Sequence, residues 1–116
     1  MKGKDSSLIG RWRITEMDAW DSDYMNMEVE AFIEIEDNGK GEFQFGLVHG
    51  YIDGHFTTRD GKSAVEFSWD GNDEMDSASG RGWMTIEDEN TLKGMMFFHQ
   101  GDESDFIAKR KKSSKR

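Results

Sequence analysis

The residues best equipped for chemistry in this chain are three histidines, a concentrated run of carboxylates, and arginines set among tryptophans. The carboxylates gather between positions 70 and 76, where Asp70, Asp73, Glu74 and Asp76 stand close together. Hard cations take several oxygen ligands from one loop, so this stretch invites a calcium reading. The order does not fit an EF-hand, because Met75 occupies the place of the turn glycine and Arg81 that of the bidentate glutamate. A solvated acidic loop accounts for it better, and no metal ligand is assigned. His49, His55 and His99 show neither the H-x-x-x-H nor the HExxH spacing of a zinc site. On an unbroken strand His49, Tyr51, Asp53 and His55 would share one face with Glu66 opposite, whereas a break at Gly50 would destroy that alignment. Ser68 and Ser79 sit in no strand-turn-helix elbow. Glu66 and Asp53 read most simply as solvent-facing partners for Arg13, Arg59 and Arg81. No catalytic residue and no cofactor emerges, and the reading leans to a non-enzymatic protein.

The elements that must hold these residues are strands. Leu8, Trp12 and Ile14 alternate with Arg11, Arg13 and Thr15, which predicts a first strand with one buried face. From Asp18 the period changes: Trp20, Tyr24 and Met27 are spaced as on a helix, with Asp18 available as N-cap, so a lid of one to three turns with an aromatic underside is expected. Ala31, Ile33 and Ile35 then alternate with glutamates up to Asn38-Gly39, a strong hairpin signal. A strand with Phe43, Phe45 and Leu47 inward follows, then one over Tyr51–Arg59. Gly46, Gly50 and Gly54 share a parity, which marks curvature or a tight reversal. Asp60-Gly61 turns the chain into Ser63–Asp70, where Val65, Phe67 and Trp69 face one way. After the acidic loop come strands over Gly82–Glu87, Thr91–His99 and Asp105–Arg110. The fold class predicted is all-β: an antiparallel meander barrel of about eight strands with a short helical lid after the first strand. The boundaries are a flexible N-terminus over 1–7, one barrel domain over 8–110 and a disordered basic tail over 111–116.

Length and composition agree. A chain of 116 residues is one domain, and although only 34% is hydrophobic, 12% is aromatic, so its core consists of a few large side chains. There is no cysteine, hence no disulfide and no thiolate zinc site. No leader-like or membrane-spanning run is present, which points to a cytoplasmic location and no membrane partner. All 24 acidic residues fall in positions 1–108 against nine basic ones, giving 9 − 24 = −15, while the other six basic residues lie in 109–116. An acidic body opposes direct binding of nucleic acid.

Two functions follow from two features. The aromatics suggest a cup for a small apolar or amphipathic ligand, with Trp20 and Tyr24 as lid, Phe45, Phe67, Trp69 and Trp83 as lining, and Arg81 or His99 as the handle for an anionic group. The same inward aromatics would also fill a small barrel solidly, and the lid stripe is what keeps a pocket in contention. The charge suggests instead an acidic module whose Asp70, Asp73, Glu74 and Asp76 meet a basic protein, or mimic nucleic acid as an inhibitor does. The protein is expected to be a monomer, or a homodimer if an edge strand is exposed.

Gly10-Arg11-Trp12 on the first strand, the early lid, and Arg110 ending the last strand resemble the closed end of lipocalin and calycin barrels. That resemblance implies a cation from the final strand stacked on the first-strand tryptophan. Gly10–Met17, Gly41–Gly46, Glu66–Asp76, Gly80–Trp83 and Phe97–Asp102 are together similar to a group of small bacterial proteins sharing these pieces. It implies one compact β domain of bacterial type and transfers no mechanism.

Overall fold

The computed structural model describes residues 6–110. Eight antiparallel strands run up and down in chain order and close into one barrel. They are β1 (Gly10–Met17), β2 (Phe32–Ile35), β3 (Lys40–Phe45), β4 (Val48–Arg59), β5 (Lys62–Asp73), β6 (Asp76–Asp88), β7 (Thr91–Phe98) and β8 (Glu103–Arg110). β8 pairs back onto β1, with Trp12 opposite Arg110. A 3-10 turn at Ser6–Leu8 precedes β1, and one helical turn, α1 (Ser22–Met25), lies between β1 and β2. The all-β meander barrel with a helix after the first strand is thus the architecture the alternation predicts. Residues 1–5 of the expected N-terminal arm and the basic tail over 111–116 lie outside the described residues. Closure also removes the edge strand on which a dimer was to be built: each of the eight strands is paired on both sides.

Alternation sets which side chains enter the barrel. Trp12, Ile33, Phe43, Phe45, Val65, Phe67, Trp69, Met84, Met96 and Phe106 are all buried in one core. On β1 the parity switches, because a bulge between Ile14 and Glu16 inserts Thr15 and brings Met17 inward. The glycines of β4 and β6 are inward too, each opposite a ring. A Cβ at Gly50 would lie 2.5 Å from Phe43 Cζ and 2.8 Å from Trp69 Cε3, and one at Gly82 2.6 Å from Phe67 Cζ. The rings occupy the room the glycines vacate, so aromatics inside and glycines inside are one packing solution.

At the closed end, Arg110 Cζ stands 4.1 Å over the Trp12 ring. The same guanidinium donates to the carbonyls of Ser7, Ile9 and Glu89, and Trp12 Nε1 donates to Leu8 O. One side chain therefore ties the 3-10 turn, the β6–β7 turn and both closing strands together.

α1 is capped by Asp21, whose side chain accepts from Tyr24 N, not by Asp18. A single turn cannot sustain the helical period, so Met25 is buried and Met27 is exposed. The acidic stretch is strand over most of its length: β5 runs through Asp70 to Asp73, β6 begins at Asp76, and only Glu74 and Met75 turn. Gly71 and Ala78 sit inward between polar residues, too small to signal a strand, yet pairing with β4 and across the hairpin extends both strands. β4 is likewise unbroken at Gly50, beginning at Val48 rather than Tyr51. Leu47 is drawn out of its strand by Gly46, whose positive φ turns the chain beneath the Tyr24 ring.

Candidate rim groove

The end of the barrel opposite Arg110 is stoppered by rings. Trp20 lies 5.0 Å from Phe45 and 5.7 Å from Phe98, and stacks with Tyr24 at 6.3 Å. Trp69 meets Phe43 and Phe98 edge-on at 5.0 and 5.1 Å. Hydrogen bonds hold the lid there: Gly46 N donates to Met25 O, Leu47 N to the Tyr24 hydroxyl, and Glu74 N to Leu47 O. α1, the β3–β4 turn and the β5–β6 hairpin are thereby chained into one rim. Trp20 and Tyr24 are half-buried, whereas Phe45, Phe67 and Trp69 are buried within the packed interior.

Beside this stopper, on the flank formed by β5, β6 and β7, a groove of about 690 Å³ opens to solvent. Its base is Trp69, Gly80 and Phe98, and its walls include Ser68, Ser79, Arg81, Phe97, His99 and Glu103. Three candidate residues, Trp69, Arg81 and His99, are brought together here, and Phe98 links them to Trp20. Ser79 O accepts from His99 N at 2.7 Å, fixing the β7–β8 turn against β6. Trp69 Nε1 donates to Phe97 O at 3.3 Å. Arg81 lies flat on Phe97, its Cζ 4.4 Å from the ring centroid.

Arg81 stands apart from the cations nearest to it in the sheet. Arg11, Arg13, Lys40, Arg59 and Lys62 each have a carboxylate oxygen within 4 Å. Among the described residues the Arg81 guanidinium has none within that distance, although acids far outnumber bases.

The remaining candidates fall elsewhere. Trp83 faces outward, opposite Glu66, because Gly82 and Met84 take the inward positions of β6. Glu66 and Asp53 also face outward beside basic side chains: His55 Nε2 and Arg59 each stand 3.8 Å from Glu66, and Lys40 stands 3.3 Å from Asp53. His49, Tyr51, Asp53 and His55 do share the outer face of β4. Among the described residues no group of three or more His, Asp or Glu is arranged to hold a metal ion. Asp70 lies mid-strand opposite Tyr51 and Ser79, while Asp73 and Asp76 form the last pair before the turn. Phe97 is the groove residue that sequence reasoning missed, whereas Phe98 was expected to line a cup and Ser79 was weighed only as a nucleophile; the register of β6 against β7 brings them together. Two carboxyls are held below the ordinary carboxylate range at the far end: Glu87 chiefly by the hydrogen bond from Lys62, and Asp88 chiefly by the Asn90 backbone N–H.

No helix among the described residues is long and apolar enough to cross a membrane. Comparison with protein-family models, with curated proteins and with solved structures finds no match.

Proposed function

We propose that this protein, on a lipocalin-like plan, is a non-enzymatic binding protein for a small amphipathic anion, received in the rim groove. Its apolar part would lie against Phe98 and the indole edge of Trp69, and its anionic group on Arg81, with His99, Ser68 and Ser79 as hydrogen-bonding neighbours. The carrying observation is the unpaired, ring-stacked guanidinium of Arg81 in a groove that half-buried Phe98 and the edge of Trp69 floor. A guanidinium pressed on a ring has already lost much of its freedom, so less entropy is lost when it grips a ligand. The ligand sits beside the lid rather than beneath it, since the interior is occupied by side chains. The test is fluorescence titration with 1-anilinonaphthalene-8-sulfonate and its uncharged counterpart N-phenyl-1-naphthylamine. Arg81→Gln is expected to weaken the sulfonate about tenfold, the worth of one charged hydrogen-bonded contact, and to leave the neutral dye unchanged. Equal sensitivity of both dyes, or of neither, would sink the reading.

The acidic-module reading is favoured by a different observation. The rim segments 18–31, 72–77 and 98–103 carry ten carboxylates and no lysine or arginine. Such a rim would steer a basic protein toward the lid end in a salt-sensitive manner. Reversing Asp73, Glu74 and Asp76 to lysine should abolish capture of a basic partner while sparing dye binding in the groove.

A further inference from the structure

Side chains on the outer wall form rows across the strands. Ser68, Arg81 and Phe97 stand opposite one another on β5, β6 and β7, and Glu66, Trp83 and Met95 make the next row away from the lid. The rim groove lies on the lid side of the Arg81 row. A second groove, also about 690 Å³, lies on the other side and is walled by His55, Arg59, Glu66 and Trp83, with main chain at Gly54, Phe67 and Gly82 beneath. Both grooves include Ser68, Arg81 and Phe97. Arg81 is thus a dividing wall reachable from either side.

The second groove brings a ring platform but no surplus charge. Arg59 Cζ lies 3.9 Å over the Trp83 ring. Glu66, 3.8 Å from Arg59, offsets that cation, and Lys40 offsets Asp53. Across the two grooves the uncompensated cation is Arg81, in the middle, and ring surface lies on both sides of it: half-buried Phe98 with the Nε1 edge of Trp69 beside Gly80 on the rim side, and the Arg59–Trp83 pair on the other. Each groove has the volume of a small-ligand site. The free face of a guanidinium already stacked on indole accepts a further ring.

We propose that the ligand of the rim groove is an organic anion whose charge sits mid-molecule between two ring systems, as in a phosphate diester. The anion rests on Arg81 and Ser68, one ring against Phe98 and the indole edge of Trp69, and the other on the Arg59–Trp83 stack. The proposal rests on the rim-groove reading above and adds the second arm.

The test compares diphenyl phosphate with methyl phenyl phosphate, two monoanions that differ by one ring, followed through the indole N–H resonances of Trp69 and Trp83. Diphenyl phosphate is expected to bind about tenfold more tightly and to move both resonances, since a stacked ring contributes roughly that factor. Trp83→Ala, or the milder surface change Arg59→Gln, should reduce it to the level of methyl phenyl phosphate, whereas Arg81→Gln should weaken both. Equal affinity of the two phosphates, or a two-ring advantage that survives Trp83→Ala and Arg59→Gln, overturns the second arm; if Arg81→Gln still weakens both, the rim reading stands. Loss of any Arg81-dependent binding overturns both together.

Discussion

Replacing Arg110 tests how the barrel is closed. Arg110→Gln removes the cation over Trp12, worth about 1 kcal/mol in a half-desolvated stack. It also removes charged hydrogen bonds to the part-buried carbonyls of Ser7 and Ile9, each worth about 1–1.5 kcal/mol, and an exposed one to Glu89 O that is worth less. The expected loss is about 3–4 kcal/mol, or a fall in Tm of roughly 12–16 °C for a domain of this size. Arg110→Lys keeps the charge but has no planar fork, so it should recover less than half of that. Urea unfolding followed by far-UV circular dichroism measures both, and a double-mutant cycle with Trp12→Phe isolates the stack, expected at about 1 kcal/mol. A loss below about 1 kcal/mol for Arg110→Gln, or wild-type stability for Arg110→Lys, would refute the account of one side chain binding turn, strands and ring together.

Trp69→Ala should cost about 3–5 kcal/mol in urea unfolding if the interior is solidly packed, while half-buried Trp20→Ala should cost about 1–2 kcal/mol; a small effect at Trp69 would mean a hydrated cup instead. Gly50→Ala, which drives a methyl against Phe43 and Trp69, should destabilise by about 1–3 kcal/mol, and Phe43→Leu should relieve part of it. Binding of 1-anilinonaphthalene-8-sulfonate should tighten two- to threefold, roughly, between 50 and 300 mM salt, because salt screens the distant rim carboxylates more than the Arg81 contact; weakening would show that the rim does not oppose anions. Glu87 is depressed by Lys62, so its contribution is present above its unfolded value, near the reference of 4.5, and is lost as pH falls through the lower folded value. Lys62→Gln should flatten that acid step by a few tenths of a kcal/mol at most, as suits an exposed pair, and an unchanged pH profile of urea midpoints would count against it.

What the sequence settled by itself was the set of alternating strands, and with it the all-β meander. Period-two burial is a local property: Ile33 and Ile35, or Val65, Phe67 and Trp69, declare their face without reference to any partner. Gly10-Arg11-Trp12 and Arg110 were legible as a pair through their resemblance to the closed end of lipocalin barrels, which the match of cation and ring supports, and the structure sets Arg110 Cζ 4.1 Å from the Trp12 ring. Three things waited for the tertiary structure. Where strands are made of small and polar residues, as in Asp70–Asp73 and Asp76–Ser79, their length is decided by the ladder they join and not by their own propensity. Whether inward aromatics line a cup or fill it depends on what faces them, and the facing residues, Gly50 and Gly82, are distant in sequence and have no side chain of their own to announce it. The groove at the rim depends on register: Arg81 reads as one arginine among several until β5 and β7 set Ser68 and Phe97 beside it and no carboxylate arrives to pair with it.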